Sequence, residues 1–152
     1  MTKLSDLGVR LQIYGNKIPP AANNLKKETA KDLHGRLVRV TPVDTGRAHR
    51  NWLIAHGGPN NDRLPESLFA GRGAFGDGSS ASAGPTIARG QAIIALAKPE
   101  IPVHITNNTP YIGLLNSKET PSTKALPYFV QTAVLSSAAK LRDSVKKAFR
   151  YG

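Results

Sequence analysis

The chain contains no cysteine. Disulfides and thiolate metal centres are therefore excluded, and the redox state of its compartment is left open. It has no apolar run approaching about 18 residues, so no segment reads as a membrane span. The start, MTKLSDLGVRLQIYG, lacks the apolar core and small-residue cleavage site of a secretory leader. The chain is accordingly expected to be made and used in a cytoplasm. Aromatics make up only 6% of the residues. Few of them accompany the basic residues, which leaves little basis for stacking on single-stranded nucleic acid. Acidic residues are also scarce: 10 Asp and Glu stand against 21 Lys and Arg, a net charge of +11. That excess favours an anionic partner, whether nucleic acid, acidic protein surface or phospholipid.

The length of 152 residues suits a single domain spanning residues 1–152. With 14 Gly and 11 Pro, much of the chain should be loop around one core. Residues 3–14 suggest a short helix with Leu4, Leu7 and Leu11 apolar, interrupted by Gly15, Asn16, Pro19 and Pro20. From 20 to 40, Ala22, Leu25, Ala30, Leu33, Leu37 and Val40 recur at helical spacing. Glu28 with Lys31 and Asp32 with Arg36 fall at helical pairing offsets. Pro42 disfavours helix at Thr41 and ends this element. Residues 48–56 read as a strand, with Trp52 a core anchor.

Residues 57–84 are rich in Gly, Ser, Pro and Asn and read as a long flexible loop. Leu68, Phe69 and Phe75 are its candidate contact points. Residues 85–98 suggest a helix opened by Pro85 and stopped by Pro99, with a strand over 92–97 as the alternative. In 101–106, Ile101, Val103 and Ile105 alternate as in a strand. Residues 127–149 form the strongest helical pattern, with Val130, Val134, Ala138, Leu141, Val145 and Phe149 on one stripe. The expected fold is α+β: a small, mostly antiparallel sheet packed against two long helices, with a long flexible Gly/Ser-rich loop.

Chemistry-bearing motifs are weak. Gly71, Gly73 and Gly76 match G-x-G-x-x-G, but Pro65-Glu66-Ser67 precedes and Asp77-Gly78-Ser79 follows. The strand and helix that a dinucleotide site requires are missing. His34, His49, His56 and His104 form no metal-ligand spacing, and no acid is paired with a base. No enzyme activity, cofactor, metal or small-molecule substrate is expected. In Pro42-Val43-Asp44-Thr45-Gly46, Asp44 and Thr45 can hold a turn through backbone N–H groups, and Gly46 can take positive φ. The same N–H groups with Arg47 and Arg50 could instead form a phosphate nest. Asn107-Asn108-Thr109-Pro110-Tyr111 reads as a second rigid corner, with Asn tolerant of left-handed backbone and Tyr111 set to bury its ring. Candidate contacts to a partner or to DNA are Arg47, Arg50, Arg72 and Phe75, with Lys140, Arg142, Lys146, Lys147 and Arg150 on the terminal helix.

The segments TPVDTGRAHRNW and VHITNNTPYIGLLN resemble, in order and separation, two signature segments of small neck or tail-completion proteins of long-tailed bacteriophages. The resemblance covers about residues 20–148, including a Gly-rich insertion between the motifs. It departs after the tyrosine, where NSKETPSTKALPYF lacks the family's glutamine and glycine. The resemblance implies a structural virion protein in a homo-oligomeric ring, six- or twelve-fold, at the head–tail junction or proximal tail. Its implied neighbours are connector, tail-terminator or tail-tube proteins, and packaged double-stranded DNA. A basic, sequence-nonspecific nucleic-acid-binding module is the alternative.

Overall fold

The structure, a computed structural model, describes residues 4–42, 46–65, 83–119 and 126–150. Helix α1 runs from Leu4 to Val40 and the one-turn helix α2 from Arg47 to Arg50. Strand β1 (Leu53–His56), helix α3 (Ala83–Ala95), strand β2 (Val103–Thr106), the short α4 (Ile112–Leu115) and the closing α5 (Phe129–Arg150) follow. The fold is mixed helix and sheet, dominated by helix. Among the described residues the sheet is one antiparallel pair, with Leu53 opposite Thr106 and His56 opposite Val103.

Helix α1 packs against both α3 and α5. One core cluster joins Leu37 and Val38 of α1 to Trp52, Ile87, Phe129 and Ala133. A second joins Ala30, Ile54 and Ile94. Trp52 is the anchor its isolation in the sequence suggests. Its ring is buried and its Nε1 donates to Thr41 Oγ1 at 2.7 Å, while Thr41 Oγ1 donates to the Leu37 carbonyl. The end of α1 is thereby tied to the start of β1.

Three side chains of α1 hold α3 from its far end. Lys26 Nζ donates to the carbonyls of Lys98, Pro99 and Ile101, Lys27 Nζ to Ala95, and Asn23 Nδ2 to Ala97. These are carbonyls at and just beyond the end of α3, where unpaired acceptors and the negative end of the dipole favour cations. On the other side, Asp32 fastens α1 to α5. It accepts from Arg36 Nε at 2.7 Å and from Ser137 Oγ and Lys140 Nζ at 2.8 Å. The expected Glu28–Lys31 and Asp32–Arg36 pairs both form.

Four expectations need correction. The break at residues 15–20 is absent: Pro19 and Pro20 lie inside α1. Proline's fixed φ is itself helical, so the chain can continue at the loss of backbone donors. The strand expected over 48–56 is confined to 53–56, because Arg47–Arg50 turn as helix. On the terminal helix the buried positions are Phe129, Ala133 and Ser137, while Val134 and Ala138 of the expected stripe are exposed. Finally, the loop expected over 57–84 has ordered ends: 57–65 are fastened by side chains, and 83–84 already belong to α3. Residues 66–82 lie outside the described set, and with them Leu68, Phe69, Arg72 and Phe75.

Candidate functional site

The first corner ends α1 at Val40, with Pro42 just beyond and Thr41 still bonded to Leu37. Asp44 and Thr45 lie outside the described residues. Gly46 has φ 77°, the left-handed conformation that glycine adopts without steric cost. It opens α2 rather than releasing a strand, and its carbonyl accepts from Arg50 N.

A single helical turn is not stable alone. Side chains from three segments hold α2 by its carbonyls. Asn51 Nδ2 donates to Arg47 O at 2.8 Å, Asn107 Nδ2 to Ala48 O at 2.7 Å, and Arg89 to Arg50 O at 2.7 Å. The second corner is thus bonded directly to the helical turn that follows the first. Asn107 Oδ1 also accepts from the backbone N and the Oγ1 of Thr109, which fixes its own turn. Asn108 reaches the other way: its Nδ2 donates to the carbonyls of Asn60 and Asp62, and Thr106 Oγ1 also donates to Asn60 O. Leu64 N donates to Asn51 Oδ1. Asn51, Thr106 and Asn108 therefore strap residues 60–64 to the end of the sheet.

The expected left-handed asparagines are not found. Among the described non-glycine residues only Tyr128 has positive φ, and the second corner is held by asparagine side chains instead. Pro110 is exposed and Tyr111 partly buried at the start of α4.

His34 and His49 are buried behind the junction. His34 Nε2 lies 3.3 Å from Trp52 O. A carbonyl only accepts, so Nε2 carries the proton. His34 Nδ1 and His49 Nδ1 have no hydrogen-bond partner among the described residues. Burial pushes both imidazoles below their ordinary range. For His34 the Trp52 carbonyl partly opposes this, and the Arg89 charge adds to it; for His49 the Arg50 charge adds to it. His49 lies in α2 and His56 in β1, so the single strand expected to carry both does not exist.

The candidate basic contacts divide. Arg47 and Arg50 are engaged and sit at the junction. Lys140 is bonded to Asp32 across the α1–α5 seam, so it joins helices. Arg142, Lys146 and Lys147 are exposed on α5. Arg150 closes that helix, and its side chain is outside the described set. The structure puts Arg47 and Arg50 on the turn that Asn107 holds, and Lys140, Arg142, Lys146, Lys147 and Arg150 on the separate helix α5.

Sequence reasoning missed Asn51 and Arg89, both indispensable to the α2 clasp, and the buried His34. Asn51 lies within the first signature-like segment but was read only as part of a strand, while Arg89 and His34 lie in no motif and act across segments distant in the chain. Among the described residues no group of three His, Asp or Glu side chains could hold a metal ion, and no helix is long and apolar enough to cross a membrane. The arrangement supplies a hydrogen-bonded polar junction, with exposed cations on a separate helix, α5. No protein-family profile, curated protein or solved structure matches this chain.

Proposed function

We propose that this chain is a structural assembly protein of a tailed phage, forming a ring at the neck or proximal tail that completes the tail and helps join it to the head. The observation that carries this reading is the junction of the two signature-like segments. The first leads directly into β1, which pairs with the β2 that opens the second, and Asn107 Nδ2 of the second donates to Ala48 O of the first at 2.7 Å. Segments that resemble one family's motifs in sequence are thus one physical unit here, as motifs that define a scaffold should be. A ring subunit needs such a rigid scaffold together with chain that can adapt to a neighbour. In this reading the Gly- and Ser-rich sequence 57–84 makes contact with connector, tail-terminator or tail-tube proteins. The role is one of assembly rather than catalysis.

Negative-stain microscopy of particles assembled without the protein tests the proposal. Separated full heads and complete-length tails are expected. Intact particles of normal appearance would overturn it.

The exposed Arg142, Lys146 and Lys147 favour a second reading, a basic module that binds duplex DNA without reading bases. Binding by the isolated, monodisperse protein that weakens steeply with salt would support that reading over the first.

A further inference from the structure

Helix α5 buries Phe129, Ala133 and Ser137 and turns another face outward. Along that outer face Tyr128, Gln131, Leu135, Ala138, Arg142 and Lys146 follow one another at helical spacing, all exposed. Leu135 is 70% exposed, Tyr128 49%, and Val134, on the shoulder of the row, 44%. The end of α4 adds to the same patch. Asn116 accepts from Tyr128 N through its carbonyl and donates to Gln131 Oε1 through its side chain, which fastens the end of α4, with its half-exposed Leu114, to the start of α5. Exposed apolar side chains scattered singly need no explanation, but a grouped set at one corner marks a contact surface.

The backbone at Tyr128 strengthens the case. Its φ of 57° is uncommon for a residue with a Cβ and costs on the order of 1 kcal/mol. The conformation is fixed by Tyr128 N on Asn116 O and by Thr132 N on Tyr128 O. It holds an aromatic ring half in solvent at the edge of the patch, and tyrosine is a common anchor at protein interfaces.

We infer that the outer face of α5, from Leu114 and Tyr128 to Lys146, docks a different protein whose surface offers an apolar ridge continued by carboxylates. Charge selects this occupant. The row is mostly apolar over its first part, with Gln131 the polar member, and cationic over its last, with about 27 Å from end to end. A second copy would bring another net +11 charge and the same cations to the contact. A bilayer surface calls for an apolar strip along the whole helix with cations flanking it, whereas here the two follow one another along the axis. Nucleic acid would use the cations and leave Leu135 and Tyr128 in water. An apolar and acidic protein surface satisfies both halves. This inference stands on α5 and α4 and not on the phage reading.

The test uses the full chain and a fluorescent helical peptide with leucine along one face and glutamate elsewhere. Its control is the same peptide with lysine for glutamate. The glutamate peptide should bind and the lysine peptide should not. Leu135→Asp, at an exposed site, should weaken binding by about thirtyfold, the loss of one anchor residue. The pair Arg142→Glu and Lys146→Glu should weaken it comparably. Leu96→Asp, at an exposed leucine on a different element, should leave it unchanged, and urea midpoints should show all variants folded. The proposal is overturned if Leu135→Asp leaves peptide binding intact. Dimerisation in sedimentation that Leu135→Asp abolishes would also overturn it, by assigning the face to a second copy. Equal sensitivity of phosphatidylserine vesicle binding, without peptide binding, would assign it to a membrane instead.

Discussion

Gly90 of α3 and His34 of α1 share one space: a Cβ on Gly90 would stand 2.2 Å from His34 Cε1 and 2.5 Å from Nδ1. The imidazole lies directly against the α3 backbone, so the glycine in the middle of that helix is a packing requirement. Gly90→Ala would normally gain helix propensity of up to about 1 kcal/mol. Here it must displace a fully buried ring, and overpacking of this kind costs about 1–3 kcal/mol. A net fall in the urea midpoint is expected. An unchanged or raised midpoint would mean that the ring can move aside freely.

The same ring makes stability depend on pH. His34 and His49 are buried, and their imidazoles are pushed below the ordinary range, so the unfolded chain takes up protons first. Their stabilising contribution is complete above the unfolded value near 6.5 and declines as pH falls below it. The slope approaches about 1.4 kcal/mol per pH unit for each proton taken up on unfolding. Urea unfolding at several pH values between 7.5 and 5 measures it. A flat profile in that window would contradict the buried neutral state.

Asp32 acts at lower pH and with the same direction. Burial alone would raise its carboxyl. The hydrogen bonds from Arg36, Lys140 and Ser137, with the Arg36 charge, outweigh burial and hold it well below the usual carboxylate range. Its contribution is present above the ordinary carboxylate value and lost as pH falls below that value. Asp32→Ala leaves Ser137 without this acceptor and should cost about 1–3 kcal/mol, with the exposed Lys140 contributing little of it. Calorimetry of the variant at neutral pH checks this.

Asn107→Ala should open the junction. It removes the donor to Ala48 O and the acceptor for Thr109, at a cost of about 1–2 kcal/mol. The readout is local: amide exchange at Arg50 and Asn51 should accelerate more than exchange in α5. Equal acceleration throughout would mean that the junction is not a separate clasp.

Elements carried by their own periodicity or punctuation were legible in the sequence. The terminal helix, the strand ending at Thr106, the helix stop before Pro42 and the positive φ of Gly46 all follow from local rules. So did the burial of Trp52, whose size and solitude leave few other places for it. The one-turn helix α2 was not legible, because its stability comes from Asn51, Asn107 and Arg89 rather than from Arg-Ala-His-Arg itself. The core position of His34 was hidden likewise: a histidine on a helix reads as polar, and only the absent side chain of Gly90, 56 positions later by residue number, makes room for it. Val40, counted with the apolar stripe, is 40% exposed, while Val38 is fully buried. At the frayed end of a helix, spacing alone does not decide which valine turns inward.

The ammonium groups of Lys26 and Lys27 grip the trailing end of α3, while the chain enters that helix at Ala83. A pull on the polypeptide upstream of Ala83 would therefore be resisted at the opposite tip, as a rope is held by a cleat. The rod between would carry tension directly into the longest helix of the molecule, and the grip, being ionic in part, would slacken in strong brine.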